Sequence, residues 1–153
     1  MKKMMMKVSN ITAESTYELR HKVLWPHLAN QSDCTIDIDF RDDARHFGTI
    51  MNNQVIGIGS FFGTAHDSFS SAKKPYRLRA MATDPNFRGR NAGGQLIKFA
   101  VNDLRDQGVD LIWCDARKVA IGFYEKLGFD RIDEWYEKPN VGPHQLMFLD
   151  FRK

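Results

Sequence analysis

The sequence predicts a single α/β domain over residues 1–153, with a mixed and mostly antiparallel central sheet of about six or seven strands flanked by helices. β-Rich runs and amphipathic helical patterns alternate in the order β-α-β-β-β-α-β-α-β-β. The length of 153 residues suits one domain with one core. Asn52-Asn53 joins two apolar runs as a hairpin turn would. These observations favour a sheet in which neighbouring strands pair locally.

The first helix is bounded by residues that favour helix ends. Thr12 is a suitable N-cap and Pro26 cannot continue a helix, so we expect a helix over residues 13–25. The polar and acidic segment over residues 30–43 is expected to be a loop.

Apolar runs bounded by turn residues predict the first four strands. They are expected over residues 4–11, 47–51, 55–62 and 77–83. In the last of these strands, simple alternation places Leu78, Ala80 and Ala82 on one face and Met81 on the other.

The C-terminal part is expected to hold two helices and three strands. The first helix presents a stripe at four-residue spacing, Leu96, Ala100 and Leu104, and Gly108 suits its end. The second helix is expected to end at Gly128 and to bury Ala120, Phe123 and Leu127. The strands are expected over residues 111–114, 129–135 and 144–151.

A glycine-rich stretch between the fourth strand and the next helix is typical of an anion-binding site. Its residues are Arg88, Gly89, Arg90, Asn91, Ala92, Gly93 and Gly94. The free N–H groups of a helix's first turn point outward, the helix dipole adds positive charge there, and glycines let a phosphate approach the backbone. We therefore expect a phosphate or pyrophosphate at this junction.

Two common phosphate-binding motifs fit this stretch less well. A P-loop requires GxxxxGK followed by Ser or Thr, but Gln95 follows Gly93-Gly94. A dinucleotide fingerprint, GxGxxG, requires a glycine where Asn91 stands. Nucleotide hydrolysis and dinucleotide binding are therefore not expected.

The stretch instead resembles the acyl-CoA site of the GNAT superfamily of N-acetyltransferases. Residues 88–93, RGRNAG, match the signature Q/R-x-x-G-x-G/A, with Asn91 in place of its first glycine. Asparagine tolerates a left-handed backbone and can cap a helix, so we expect the loop to keep its shape. A second block, residues 116–129, resembles the later motif of the family, AxxxAxxFYEKLGF. The resemblance implies a sheet that is splayed at the acyl-CoA site.

The resemblance also implies roles for particular residues. Acetyl-CoA would be the co-substrate, with no metal. Main-chain groups of Met81, Ala82 and Thr83, at a bulge in the fourth strand, would contact the pantetheine arm, and residues 88–94 would hold the pyrophosphate. Tyr124, the tyrosine of the FY pair, would protonate the departing thiolate.

On the acceptor side, the sequence leaves several residues open. Trp25 and Asp115 are weak candidates for contact with the substrate. The base that removes the proton of the ammonium is open among Glu134, Asp115, Asp39 and His144. Cys114 is a poor nucleophile candidate, because a strand interior disfavours the thiolate.

The expected activity is therefore transfer of an acetyl group from acetyl-CoA to a primary amine by direct attack in a ternary complex. The acceptor would be a small-molecule or peptide amine. The alternative is a non-catalytic module that binds or senses acyl-CoA. A third hypothesis is binding of RNA or another anion through a cluster of cationic residues between positions 73 and 90, where Asp84 is the only acidic residue. The six cationic residues are Lys73, Lys74, Arg77, Arg79, Arg88 and Arg90.

Composition excludes several classes of protein. A hydrophobic content of 42% and a charged content of 27% indicate a globular chain, and a net charge of +3 gives no reason to expect a nucleic-acid partner. The apolar run Met4–Met6 is too short for a signal peptide, and no run is long enough to span a membrane. We therefore expect a cytoplasmic protein without a membrane partner. A homodimer through the last strand, residues 144–151, is left open.

Overall fold

The computed structural model describes residues 5–152, and these residues form one seven-stranded sheet in the order β1-β2-β3-β4-β5-β7-β6. The strands are β1 (Met6–Asn10), β2 (Arg45–Met51), β3 (Gln54–Gly63), β4 (Pro75–Thr83), β5 (Leu111–Arg117), β6 (Asp130–Lys138) and β7 (Gly142–Asp150). β4 and β5 are parallel over three residue pairs, whereas β1–β2, β2–β3, β5–β7 and β6–β7 are antiparallel. The predicted mixed sheet of six or seven strands is confirmed. The predicted start of the first strand, Met4, lies outside the described residues.

The helices are α1 (Tyr17–Leu19), α2 (Ala92–Asp106) and α3 (Ile121–Lys126). α1 is the middle of a longer helical segment, because a 3₁₀ turn (Glu14–Thr16) precedes it and a π-helical turn (Arg20–Leu24) follows it. The Thr12 hydroxyl accepts a hydrogen bond from the backbone N–H of Ser15 at 3.2 Å. Thr12 therefore caps the segment as predicted.

Contacts within the chain group its residues into two compact units. The first comprises the residues up to Phe62 together with Leu78–Asp103, and the second comprises Gly63–Arg77 together with the residues from Leu104 onward. β4 and α2 each contribute residues to both units.

In the first unit, β2 and β3 form the predicted hairpin. Asn52 and Asn53 have φ values of 52° and 63°, the left-handed conformation that a tight hairpin turn requires. The apolar side chains of this unit include two clusters of fully or nearly buried residues: Leu19, Ile58 and Ala82 in one, and Met51, Ile56 and Ala92 in the other.

β4 departs from extended geometry at Ala80, which has a φ of 55°. Left-handed backbone is unusual for an L-residue with a Cβ, and inside a strand it bends the chain and changes which side chains share a face. The bulge that the family resemblance implies in this strand therefore has a structural counterpart at Ala80.

The predicted alternation of faces along β4 is wrong as a result. A Cβ built on Gly59 would lie 3.0 Å from the Met81 sulfur and 3.6 Å from Leu78, so Leu78 and Met81 approach the same face. Ala82 packs instead with Ile58, the neighbour of Gly59 on β3, whose side chain points to the opposite face.

In the second unit, β5 is longer than predicted and runs through Arg117. Its apolar side chains form a buried cluster with a loop residue and a β7 residue: Phe69, Leu111, Trp113 and Leu146. β7 pairs with β5 on one side and with β6 on the other. β7 therefore has no free edge with which to pair with a strand of another copy, and a homodimer that packs in another way stays a prediction.

α3 buries a different face from the one predicted. Ile121 and Tyr124 are buried, with 6% and 7% of their surface exposed, whereas Ala120, Phe123 and Leu127 are half-buried. Gly128 has a φ of 91° and ends the helix as predicted. Tyr124, the tyrosine of the FY pair, is therefore on the buried face of α3.

β6 is an edge strand with an irregular register. Its pairing with β7 shifts between Ile132 and Tyr136, so that three β6 residues stand opposite Gln145 alone. The buried Gln145 amide donates to Asp133 at 3.1 Å and accepts from Arg131 at 3.3 Å. These two hydrogen bonds hold the irregular part of β6 in place against β7.

Over residues 5–152, no helix combines the length and apolar character needed to cross a membrane.

Candidate active site

The expected phosphate-binding turn lies in the first unit, between β4 and α2. Arg88, Gly89 and Arg90 are exposed, and Gly89 has a φ of 83° with no atom within 4 Å of the position that a Cβ would occupy. The Arg90 guanidinium lies 5.9 Å from the centre of the Phe87 ring. The turn therefore offers an open backbone surface beside two cationic side chains.

Asp84 holds the start of this turn in place. Its backbone N–H donates to the Ile56 carbonyl at 2.8 Å, and its carboxylate accepts from the Asn86 N–H at 3.0 Å and from the Lys22 ammonium at 3.2 Å. Burial alone would raise the pKa of Asp84, but these hydrogen bonds outweigh burial and lower it. Asp84 is therefore ionised at neutral pH and acts as a structural anchor.

Asn91 adopts the left-handed conformation expected at the glycine position of the motif, with a φ of 60°. Its carbonyl accepts the first hydrogen bond of α2, from Gln95 at 3.0 Å. Its carboxamide lies against Gly94: Cγ and Nδ2 are 2.9 Å and 3.2 Å from the position of a Cβ on Gly94, and Oδ1 is nearer still. Asparagine thus fits the backbone of the turn, and its side chain folds over the first turn of the helix, where Ala92, Gly93 and Gly94 are buried.

The residues expected to contact pantetheine, Met81, Ala82 and Thr83, directly follow the left-handed Ala80. Met81 and Thr83 are half-buried and Ala82 is buried. Main-chain contact between these residues and a ligand stays a prediction.

Tyr124, in the second unit, is enclosed by aromatic rings. The rings of Phe123 and Phe129 each lie 5.1 Å from the Tyr124 ring. Burial raises the pKa of Tyr124 well above its usual value, and the neighbouring Cys114 raises it further. Burial also raises the pKa of Cys114. Both groups are therefore protonated at neutral pH.

Asp115 is the centre of a polar cluster in the second unit. Its carboxylate accepts from Arg77 at 2.7 Å, from the Tyr136 hydroxyl at 2.5 Å and from the Lys138 ammonium at 3.0 Å. Burial alone would raise the pKa of Asp115, but the hydrogen bonds and the two cations lower it. Burial and the bond to Asp115 raise the pKa of Tyr136. The Arg77 guanidinium also lies 5.0 Å from the centre of the Trp113 ring.

Asp39 belongs to a second polar network, in the first unit, in which every side chain is buried. Arg20 donates to both Asp39 carboxylate oxygens at 2.7 and 2.9 Å, to the Cys34 carbonyl at 3.0 Å and to Ser60 at 3.1 Å. His46 contacts the Ser60 hydroxyl at 2.8 Å and the Asp39 carbonyl at 3.0 Å. This network ties the loop after the first helical segment to β2 and β3.

Sequence reasoning did not identify Arg20. The available signal was its spacing, because Arg20 lies three residues from Tyr17 and from Val23 and so shares their face of a helix. A cation on such a face suggests a buried partner.

The candidates for the base differ in their surroundings. Burial alone would raise the pKa of Asp39, but the bonds from Arg20 and Ile36 lower it, and the pKa of Asp115 is lowered as well. A lowered pKa makes both carboxylates weak bases. Glu134 is exposed on β6, and His144 is buried with Nδ1 at 2.8 Å from the Gly142 carbonyl.

The six cationic residues predicted to attract an anion have different surroundings. Arg77 is paired with Asp115, and the backbone N–H groups of Lys73 and Lys74 donate to Asp110 at 2.7 and 2.9 Å. Arg88 and Arg90 are exposed in the turn before α2. The Arg77 charge is therefore offset by a carboxylate, and anion binding through the exposed pair Arg88 and Arg90 stays a prediction.

Trp25 ends the π-helical turn. Its N–H donates to the Arg20 carbonyl at 2.8 Å, and its half-buried ring lies 6.0 Å from the Arg20 guanidinium. Within the described part of the chain, no three His, Cys, Asp or Glu residues are grouped so as to hold a metal ion.

Comparisons with known proteins agree with this geometry. The model of the acetyltransferase (GNAT) family matches residues 7–129. A Bacillus subtilis (strain 168) protein named uncharacterized N-acetyltransferase YitI is 36% identical over 148 residues, covering 97% of this chain and 98% of its own. A ribosomal protein bS18-alanine N-acetyltransferase of Haemophilus influenzae is 28% identical over 141 residues, covering 89% of each chain.

A solved structure shares the fold at low sequence identity. The crystal structure of an aminoglycoside 6′-N-acetyltransferase complexed with coenzyme A superposes with a TM-score of 0.77 at 12% identity, covering 96% of this chain and 98% of that chain. The family model matches most of this chain, and the B. subtilis relative is similar over nearly all of it. The chain therefore belongs to the GNAT family of acyl-CoA-dependent acetyltransferases.

Proposed function

We propose that this protein transfers the acetyl group of acetyl-CoA to a primary amine by direct attack in a ternary complex. The observation that carries this proposal is the turn from Arg88 to Gly94, which joins the bent strand β4 to the 15-residue helix α2. The N–H groups of the first helical turn, the helix dipole and two exposed guanidinium groups together favour a pyrophosphate. Coenzyme A carries such a group.

The pantetheine arm would lie along the end of β4. Its amides would use main-chain groups of Met81, Ala82 and Thr83, as an added strand uses an open sheet edge. A backbone N–H in this segment would polarise the thioester carbonyl. The left-handed Ala80 supports this part of the proposal, because a bend immediately before these residues changes the direction of their N–H and C=O groups.

Tyr124 would supply the proton for the leaving group. The amine attacks the carbonyl carbon, the C–S bond then breaks, and the thiolate takes the phenolic proton. The proton that the new amide nitrogen loses would return to the phenolate, directly or through water. Burial keeps the pKa of Tyr124 high, so the hydroxyl is fully protonated when the reaction begins.

The proton of the acceptor ammonium must be lost before attack. The lowered pKa values of Asp39 and Asp115 make them weak bases, so we favour Glu134 or His144, acting directly or through water. A cationic acceptor that approaches Asp115 would compete with Lys138, which already donates to this carboxylate. Trp25 is the second proposed contact for the acceptor.

The test of catalysis is Tyr124→Phe, with acetyl-CoA affinity measured by calorimetry and turnover measured by thiol release. Turnover should fall at least about tenfold, within the range of general acid catalysis, while acetyl-CoA affinity changes little. Tyr76→Phe removes the same atom from another buried tyrosine and controls for a loss of stability. Near-normal turnover of Tyr124→Phe would exclude Tyr124 as the acid.

The acceptor is found by screening amines for acetyl-CoA-dependent thiol release. An alanine-starting peptide comes first, because a relative is named for acetylation of a ribosomal protein alanine. A lysine-containing peptide, a polyamine and an aminoglycoside complete the panel. Acetyl-CoA binding without release on any amine would favour a non-catalytic sensing module instead.

A further inference from the structure

The turn before α2 carries a side chain at a position where the motif of this family has none. Asn91 stands at the first signature glycine, and its backbone takes the left-handed conformation, with a φ of 60°. A glycine would adopt this conformation without steric cost, so the asparagine side chain must be accommodated by its surroundings.

Gly94, about one helical turn further along the chain, leaves room for the Asn91 side chain because it has no side chain of its own. The Asn91 carboxamide fills the space that a side chain on Gly94 would need, with Cγ at 2.9 Å and Nδ2 at 3.2 Å from the Cβ position and Oδ1 nearest. Asn91 is itself exposed, so its side chain can leave this position for solvent. Gly89, by contrast, has no atom within 4 Å of its Cβ position, so the other end of the turn is open.

We propose that the Asn91 carboxamide occupies the phosphate end of the acetyl-CoA site when no ligand is bound and competes there with the pyrophosphate. The carboxamide oxygen, which carries partial negative charge, is the atom nearest to the position that a Cβ on Gly94 would occupy. At this place it would complement the positive end of the helix, as a phosphate oxygen would. Binding of acetyl-CoA must then move this side chain. The inference rests on the proposed binding of acetyl-CoA.

Asn91→Gly is the direct test, because glycine keeps the backbone conformation and removes the carboxamide. We expect the dissociation constant for acetyl-CoA to fall about three- to tenfold, the range of one neutral polar contact. The affinity for acetyl-pantetheine, which lacks the phosphates, should stay the same. Without ligand, the variant should melt at a lower temperature. Glycine adds freedom to the unfolded chain, and the Asn91 carboxamide no longer covers the first turn of α2.

Asn140→Gly is a matched control. Asn140 has a φ of 65° and lies in the turn between β6 and β7, so the substitution removes the same side chain from the same backbone conformation outside the phosphate turn. Its affinity for acetyl-CoA should equal that of the wild type. A gain in affinity for acetyl-CoA in both variants would overturn the inference.

The contact between Asn91 and Gly94 is tested separately by Gly94→Ala. Alanine favours helices over glycine, so this substitution should raise the melting temperature of the Asn91→Gly variant. In the wild type it should give no such gain, because the new Cβ meets the carboxamide. Equal gains in the two backgrounds would contradict the contact.

The outcomes distinguish this inference from the proposed function. Weaker acetyl-CoA binding by Asn91→Gly would show that the carboxamide donates to the phosphate, and unchanged binding would show that it plays no part. Either result would overturn the proposed competition between the Asn91 carboxamide and the pyrophosphate, but not the proposed binding of acetyl-CoA. Absence of acetyl-CoA binding by both wild type and variant would overturn the proposed function and the inference together.

Discussion

Replacing Arg20 with methionine should destabilise the protein strongly. The substitution keeps a long apolar stem but removes the donors to Asp39, to the Cys34 carbonyl and to Ser60. The side chains of Arg20 and Asp39 are both fully buried, so the carboxylate would be left in the interior without its counter-ion. Breaking a buried ion pair from one side costs about 3–5 kcal/mol, and we expect the free energy of unfolding in urea to fall by about this amount.

The double variant Arg20→Met with Asp39→Asn tests whether the cost comes from the stranded charge. Asparagine can still accept from the Ile36 N–H, which bonds the Asp39 carboxylate at 2.8 Å. Removing the charge should therefore recover at least about 1–2 kcal/mol of the loss. A double variant that is as unstable as Arg20→Met would locate the cost in lost packing.

The pH dependence of the free energy of unfolding provides a second test of the stranded charge. In the wild type the pKa of Asp39 is lowered, so its contribution to stability is present above the unfolded pKa of about 3.9 and is lost as the pH falls through the folded value. In Arg20→Met, burial without the arginine should raise the pKa of Asp39, and this variant should gain stability relative to the wild type as the pH falls from about 7 to 5. His46 Nε2 also lies 3.8 Å from Asp39. A loss below about 1 kcal/mol with parallel pH curves would refute the reasoning.

Three further predictions concern other parts of the structure. Because Ala80 has a φ of 55°, Ala80→Gly should leave the melting temperature equal or higher, whereas Ala80→Val should cost about 1–2 kcal/mol. Cys114 is 2% exposed with a raised pKa, so a thiol reagent should modify it in the denatured protein long before it does so in the native one, measured by mass spectrometry. Asp115→Asn leaves two cations without their anion and should lower the free energy of unfolding by about 2–3 kcal/mol, but Lys138→Ala, at a side chain that is 35% exposed, should cost less than about 1 kcal/mol.

Local patterns in the sequence were enough to predict most of the fold. The asparagine pair between β2 and β3, the stripe at four-residue spacing on α2 and the glycines at the helix ends act through neighbouring residues, and each has the predicted conformation or burial. The left-handed turn at Asn91 between β4 and α2 belongs to the same class, because its residues are contiguous in the chain.

The errors arose where a distant contact decides the local conformation. The left-handed Ala80 has no sequence signal of its own, since alanine rarely adopts this conformation, and it reverses the face of Met81 relative to simple alternation. The partner of Arg20 is Asp39, 19 residues away in a loop, and short-range periodicity gives no means of pairing them. The buried face of α3 was misassigned by one position for the same reason, because the packing of Tyr124 depends on Phe129 and Cys114.

The irregular edge strand β6 affects how copies of this protein behave in concentrated solution. An incoming strand from another copy would find three β6 residues in register with β7, Asp130–Ile132, then an interruption, and then three more, Tyr136–Lys138. The interruption carries the exposed acids Asp133 and Glu134, so two such edges that meet would repel each other where their backbones are already out of register. Growth of the sheet from molecule to molecule through β6 is thereby disfavoured, and Gln145, buried one strand inward, holds the interruption in place through its bonds to Asp133 and Arg131.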